Sequence, residues 1–289
     1  MATTLIAVVI ALIVSHALPD LARLRRYDWL HASAAWIQAR ISAQAPLVLA
    51  LCVLPPVVLL ALLDWALHGE FFGLGALALS IVVLYLTWGP RDLDLDVEAL
   101  DSMPDDDRRR AALAGLGLPT GGALAPTAVV DAMFIAALRR WFGLLFWFAL
   151  LGPAGALGYR LVDLLGDAQA PESSGPSDLR AAAQRLAGWL NWAPAQLMTL
   201  GLAIAADFDA VARAWRDVHA ARGHWLVLDL GFLIAAARAS VDADSELGAD
   251  AGSLRSSRAE MGESMSLIWR VLTVWGIVFA LLVLVGLIG

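Results

Sequence analysis

Four apolar segments, each about as long as a membrane is thick, constrain the fold of this chain more than any other feature. They cover residues 47–67, 71–88, 141–165 and 267–288. A helix needs about 20 apolar residues to cross the hydrocarbon core of a bilayer. The composition agrees, because 60% of the residues are hydrophobic and only 16% are charged, whereas a soluble chain has about 25% charged residues. The sequence therefore predicts a membrane protein.

Two weaker segments set the upper limit on the number of spans. Residues 4–18 are apolar but short, and they lack the basic start and the cleavage site of a signal peptide, so we expect a retained first helix. Residues 186–206 are long enough but are interrupted by Asn191, Pro194 and Gln196. No strand pattern of period two occurs. The predicted fold is an all-α, polytopic helical membrane protein with four to six transmembrane helices, broken helices and cytoplasmic helical segments.

The placement of arginine predicts the orientation, because cytoplasmic loops carry an excess of basic residues. All 20 basic residues are arginines. With six spans and an external N-terminus, all of them except Arg160, Arg180 and Arg185 lie on the cytoplasmic side. The predicted organisation is one integral membrane domain, two cytoplasmic helical portions and a short external loop, at 1–289, at 90–140 and 207–266, and at 166–185 respectively.

Several functions are excluded by composition and by missing motifs. The absence of lysine removes any Walker A motif and any Schiff-base lysine, and the net charge of −7 argues against nucleic acid as a partner. Cys52 is the single cysteine and the histidines show no metal-ligand spacing. The Asp-x-Asp-x-Asp run at 92–96 has carboxylates that suit Mg²⁺, but it lacks the partner residues of a known site. No catalytic residue, metal or cofactor is predicted.

Residues 146–165, FWFALLGPAGALGYRLVDLL, place polar side chains where hydrocarbon is expected. Arg160 and Asp163 are three residues apart and therefore share one helix face, with Tyr159 beside them. One interpretation is a polar cavity in which Arg160 holds an anionic group of a ligand. The alternative is an interfacial ion pair that extends to the lipid headgroups.

Helix-breaking residues suggest where such a cavity forms. Gly152 and Pro153 interrupt this stretch and Pro194 interrupts the next span, and each proline removes a backbone hydrogen bond. Broken membrane helices line cavities, so we predict a pocket shared by both spans; kinked, tightly packed spans are the alternative. The predicted ligand-binding residues are Tyr159, Arg160, Asp163, Asn191 and Gln196.

The charged residues that precede this span are interpreted as structural. Asp131 is expected to lie near a helix N-terminus, where a negative charge is favourable. Arg139 and Arg140 are expected to anchor the cytoplasmic end of the span. The run DDDRRR at 105–110 is expected to be a solvated helix start.

Several strings occur together in an order that resembles a known family. WGPRDLDLDVEAL follows the second long segment, ALRRW precedes the broken span, LNWAPAQL opens the next span, and an apolar tail ends the chain. From about residue 5 onward this order resembles the AmpE branch of the CobD/CbiB superfamily of bacterial inner-membrane proteins. The resemblance implies signalling in β-lactamase induction for the AmpE branch. For the CobD/CbiB branch it implies amide formation in cobalamin biosynthesis.

Polar residues distinguish the two branches. Tyr159, Arg160, Asn191 and Pro194 match the pattern of the amide-forming branch. Where that pattern carries further acidic, amide or arginine groups, this chain mostly has other residues, namely Asp131, Ile135, Ala136, Arg139, Asp163, Gly166 and Gln196. The resemblance therefore implies a regulatory protein. A diverged, ATP-dependent amide-forming enzyme on another substrate is the alternative.

The expected function combines the membrane fold with this resemblance. We expect a multi-pass protein of the bacterial inner (cytoplasmic) membrane that acts in cell-wall recycling and β-lactamase induction. Its expected partners are the lipid bilayer, a muropeptide or nucleotide ligand, and a protein on the cytoplasmic side. The external loop at 166–185 is then periplasmic.

Overall fold

The computed structural model describes most of the chain as helices. The described residues are 10, 27–40, 44–67, 74–88, 93–101, 106–119, 125–167, 177–223, 226, 228–245 and 254–285. Within these ranges there is no β-strand, so the prediction of an all-α fold is confirmed. In chain order the elements are α1 (Asp28–Arg40), α2 (Ala45–Leu67), α3 (Leu74–Thr87), α4 (Leu93–Asp101), α5 (Asp106–Gly115), α6 (Pro126–Ala137), a π-helical turn (Leu138–Phe142), α7 (Gly143–Leu165), α8 (Ser177–Ala205), α9 (Phe208–Arg222), α10 (Gly231–Ser245) and α11 (Leu254–Leu284).

Three helical stretches among the described residues are long and apolar enough to cross a membrane. They are Ala45–Leu67, Thr127–Leu165 and Glu260–Leu282, and they confirm the membrane-protein prediction at that level. α3 is apolar but has 14 residues, which at a rise of 1.5 Å per residue is about 21 Å, less than the roughly 30 Å of the hydrocarbon core. The expected helix at 4–18 falls on residues of which the structure describes only Ile10.

The chain divides into two compact units. The first contains Met1–Pro90, Gly143–Leu190 and Phe279–Gly289, and the second contains Arg91–Phe142 and Asn191–Val278. The two portions predicted to be cytoplasmic, 90–140 and 207–266, therefore fall almost entirely in the second unit, although the span at 141–165 separates them in sequence. Tertiary packing joins these two portions into one body.

In the first unit, α1, α2 and α3 pack against α7. α2 is apolar on all sides, so the position of each side chain relative to the neighbouring helices decides whether it is buried. The buried stripe is Val48, Leu49, Cys52 and Val53. The core that this stripe forms is completed by Leu30, Ala34, Leu161, Val162, Leu165, Leu179, Ala183 and Ala187. Other apolar side chains of α2, including Leu59 and Leu62, are more than half exposed, as expected for a surface that faces lipid.

In the second unit, α9 and α10 form a helical hairpin and α10 also packs against α6. α9 begins where the side chain of Asp207 accepts a hydrogen bond from Ala210 N at 3.0 Å, and it ends at Gly223, whose φ of 69° terminates the helix. The prediction that the helix before the broken span begins near Asp131 is wrong. α6 begins at Pro126, because proline suits the first turn of a helix.

Candidate functional site

The break in α7 lies at Gly152, as the Gly-Pro pair predicted. Gly152 has φ 66° and ψ −156°, a conformation that is essentially restricted to glycine. Pro153 follows and cannot donate the backbone hydrogen bond that a continuous helix requires at that position. At Gly155 an added Cβ would lie 2.3 Å from the carbonyl oxygen of Trp147. The backbone of α7 therefore approaches itself closely after the break, which only a glycine at 155 permits.

The conformation of Gly152 leads to a testable prediction. Gly152→Ala should destabilise the protein by about 1–3 kcal/mol, because alanine is strained at this φ and ψ. Nothing lies within 4 Å of the added Cβ, so strain is the only penalty. Gly276→Ala is the matched control, since its Cβ also meets nothing within 4 Å and alanine favours the helix. Thermal melts in detergent that show equal losses for both variants would contradict the prediction.

Three of the five predicted binding residues lie on the part of α7 that follows the break. Arg160 Nη1 donates to Asp163 Oδ2 at 3.0 Å, as the spacing of three residues predicted. Tyr159, Arg160 and Asp163 are 3%, 5% and 8% exposed. An interfacial pair that extends to lipid headgroups needs exposed side chains, so that alternative does not fit. The pair is buried within protein.

Arg160 is not fully satisfied by this pairing. Its Nε is buried and has no hydrogen-bond partner among the described residues. A guanidinium group carries five donors in a rigid planar fork and cannot lose its charge in a protein. One edge of that fork is therefore available to an acceptor.

Asn191 and Gln196 lie on α8, where the predicted break does not occur. α8 is one helix from Ser177 to Ala205, with Pro194 inside it, so the prediction of a second broken span is wrong. Five residues of helix separate Asn191 from Gln196 by about 140° around the axis, which places them on different faces. Asn191 is 5% exposed. Asn191 and Gln196 belong to the second unit, whereas Tyr159, Arg160 and Asp163 belong to the first. A pocket shared by all five residues stays a prediction.

Gln196 contributes to a cavity within the second unit. Its Oε1 accepts a hydrogen bond from Trp215 Nε1 at 2.9 Å, which connects α8 to α9. The cavity has a volume of about 630 Å³, within the range of small-molecule pockets. It is lined by Gln196, Thr199, Leu200, Ala203, Phe208, Asp209, Val211, Ala212, Trp215 and Arg216.

A buried ion pair in the second unit was missed by the sequence analysis. Arg140 was expected to anchor the chain at the membrane surface, but it is 8% exposed, and its Nη1 donates to Asp96 Oδ2 at 2.8 Å. Its Nη2 donates to the carbonyl oxygen of Gly115. A Cβ at Gly115 would lie 2.9 Å from Asp96 Oδ2, so a larger residue here would displace the Asp96 carboxylate. Arg140 therefore connects α4, α5 and the π-helical turn.

The π-helical turn explains why Arg140 points inward. The wider turn places Arg140, Trp141 and Phe142 in consecutive buried positions. The ring centroids of Trp141 and Trp269 are 5.3 Å apart, and those of Phe142 and Trp275 are 5.1 Å apart. α11 thus holds the turn through two aromatic pairs. No local sequence signal predicts this arrangement, because the ion-pair partners are 44 residues apart.

Other acidic residues are also engaged in tertiary contacts. Asp94 Oδ1 accepts from Trp269 Nε1 at 3.1 Å. Asp131 was expected to be a helix N-terminal charge, but both of its carboxylate oxygens accept hydrogen bonds from Arg238 of α10. In the part of the chain that the structure describes, no group of three or more His, Cys, Asp or Glu could hold a metal ion.

The comparisons with known proteins give no relative for this chain. No protein-family model, curated protein or solved structure matches it.

Proposed function

We propose that this chain is a regulatory protein of the bacterial inner membrane that acts in cell-wall recycling and β-lactamase induction. It works by binding a small anionic ligand, such as a muropeptide, at Tyr159, Arg160 and Asp163. The observation that carries the proposal is the buried Arg160 with an unpartnered Nε on an apolar, membrane-length stretch. The link to cell-wall signalling rests on the resemblance to the AmpE branch.

The physical support for the proposal is the free-energy cost of placing charged side chains in a membrane helix. An arginine or aspartate costs about 2.5–3.5 kcal/mol at the centre of a membrane helix on insertion scales, and ionisable residues within membrane helices often mark functional positions. Arg160 and Asp163 lie in the last turns of α7, so this cost is an upper limit for them. Arg160 and Asp163 offset part of this cost by pairing. A structural role alone is served better by apolar residues, since replacing a buried ion pair by well-packed apolar side chains is often neutral or stabilising.

The chemistry of the group favours an anionic ligand. A guanidinium fork binds carboxylate and phosphate groups through paired hydrogen bonds. Tyr159 precedes Arg160 in the chain and is 3% exposed, and its phenolic hydroxyl is the second polar group that we assign to the site. The alternative, an ATP-dependent amide-forming enzyme, needs polar groups around its substrate. This chain has few of the polar residues found in the pattern of the amide-forming branch. The experiment below therefore includes Mg²⁺-ATP, so that its result also tests this alternative.

The test is a thermal-shift measurement on the detergent-purified protein with anhydro-muropeptides, corrinoids and Mg²⁺-ATP. A ligand at 100 times its dissociation constant adds about 2.7 kcal/mol of stability, which corresponds to roughly 5–10 °C. We expect a muropeptide to produce this shift. The matched variant is the double substitution Arg160→Gln with Asp163→Asn, which removes both charges and leaves two neutral side chains that can still form hydrogen bonds.

The outcomes separate the candidate functions. Stabilisation of the wild type and not of the double variant would support the proposed site. Equal stabilisation of both proteins would contradict the assignment of Arg160. A shift with Mg²⁺-ATP alone would favour the enzyme, and turnover should then be measured.

A further inference from the structure

The cavity between α8 and α9 is a second feature suited to a ligand, and it lies apart from Arg160 in the chain. Its floor is apolar and closed, because Thr199, Ala203 and Val211 are 4%, 7% and 1% exposed. The Thr199 hydroxyl donates a hydrogen bond to Ala195 O at 2.9 Å. It therefore has no hydrogen left to donate to a ligand in the cavity. Trp215 forms one wall.

Three polar groups border this apolar space. Gln196 commits its Oε1 to Trp215 Nε1, which leaves its Nε2 donors without a partner in the described part of the chain. Arg216 donates from Nε to Ala212 O at 3.1 Å. Its terminal nitrogens have no described partner either. Asp209 also lines the cavity.

Arg216 and Asp209 lie on the same face of α9, seven residues apart. Seven residues are about two helical turns, or roughly 10 Å along the axis, and the structure shows no ion pair between the two side chains. The cavity therefore offers one cationic and one anionic group from positions about two helical turns apart. A purely anionic ligand would meet Asp209 unfavourably, whereas a ligand with both charges complements the cavity.

An exposed apolar strip extends from the cavity along α8. Leu197, Leu200 and Ile204 are 42%, 53% and 60% exposed and follow one another at spacings of three and four residues. Phe208 continues the strip at 59% exposure, and Leu200 and Phe208 also line the cavity. An apolar chain that leaves the cavity would cover this strip.

We propose that the cavity between α8 and α9 binds one zwitterionic phospholipid with a primary ammonium head. The phosphate contacts Arg216 and the Gln196 amide, the ammonium group contacts Asp209, and an acyl chain lies along Leu200 and Phe208. A primary ammonium donates hydrogen bonds to a carboxylate, which a quaternary ammonium cannot. The site does not depend on the function proposed for Arg160.

The test is native mass spectrometry of the full chain in detergent, with lipids that share the same acyl chains. The lipids are phosphatidylethanolamine, phosphatidylcholine and phosphatidylglycerol, together with lyso-phosphatidylethanolamine. We expect a single phosphatidylethanolamine adduct, bound up to about fivefold more tightly than the other two diacyl lipids, since one exposed charged contact corresponds to a factor of at most about five. Binding of the lyso form alone would identify a free amphiphile, rather than a bilayer lipid, as the source of this head group.

Single substitutions test which side chain contacts which part of the lipid head group. Asp209→Asn should remove the preference over phosphatidylglycerol, and Arg216→Gln should weaken phosphatidylethanolamine and phosphatidylglycerol alike, by about fivefold. Arg213→Gln is the matched control, because Arg213 is exposed on the same helix and does not line the cavity. Ala212→Phe, which places a bulky ring in the cavity, should weaken the adduct. Equal binding of all three diacyl lipids, or an equal loss in Arg213→Gln, would overturn the proposal.

Discussion

Asp96→Ala is expected to destabilise the protein by about 3–5 kcal/mol, because it leaves the charge of Arg140 buried without its partner. Asp96 is fully buried and Arg140 is 8% exposed, so water cannot replace the lost carboxylate. For a protein of this size the loss corresponds to a fall in melting temperature of roughly 10 °C. The measurement is a thermal melt in detergent that follows tryptophan fluorescence, which also reports on Trp141 and Trp269 beside the π-helical turn.

Two control variants test whether the loss of stability comes from the buried ion pair. Asp94→Ala removes a neighbouring carboxylate that is only partly buried and accepts a hydrogen bond from Trp269, so we expect a smaller loss, of about 1 kcal/mol. The double substitution Asp96→Leu with Arg140→Met should recover most of the stability, since apolar replacements of a buried ion pair are often neutral. Equal losses in Asp94→Ala and Asp96→Ala would show that the ion pair does not stabilise this unit.

Asp163→Ala is expected to destabilise the first unit by about 3–5 kcal/mol, and more than Arg160→Ala does. The asymmetry arises because Asp163 has a further polar interaction besides the ion pair, whereas Asp163 is the described partner of Arg160. Removing Asp163 leaves a permanent charge on Arg160, which is 5% exposed. Removing Arg160 leaves Asp163 with its other interaction. The measurement is the thermal melt of both single variants at neutral pH.

The double substitution Asp163→Leu with Arg160→Met separates this prediction from simple loss of packing. It should recover most of the stability, because apolar replacements of a buried ion pair are often neutral. If the double variant loses as much stability as Asp163→Ala, the buried pair does not control stability here.

Local features of this protein could be read from the sequence. α2 and the apolar part of α11 follow from runs of apolar residues that match the bilayer thickness. The break at Gly152 follows from the Gly-Pro pair, and the contact between Arg160 and Asp163 follows from their spacing of three residues. Each of these depends on residues that are close in sequence, so periodicity and backbone chemistry are sufficient to predict them.

Local rules failed where packing could override them. Pro194 does not end α8, although proline in a helix interior removes a hydrogen bond and clashes with the preceding turn. Arg140 resembles a membrane anchor by its position, yet the π-helical turn directs it to Asp96. The contacts that decide the position of Arg140 come from residues distant in sequence, which no local pattern records.

The helical fold, an apolar character sufficient for a membrane, and the break at Gly152 before a pair of opposite charges follow from the order of amino acids along the chain. The packing of the helices sets which charges are buried together and where a cavity forms. Asp96 reaches Arg140 across 44 residues, and Gln196 reaches Trp215 across 19. Such pairings depend on how helices pack, and packing follows from shape complementarity over the whole unit rather than from the spacing of neighbouring residues.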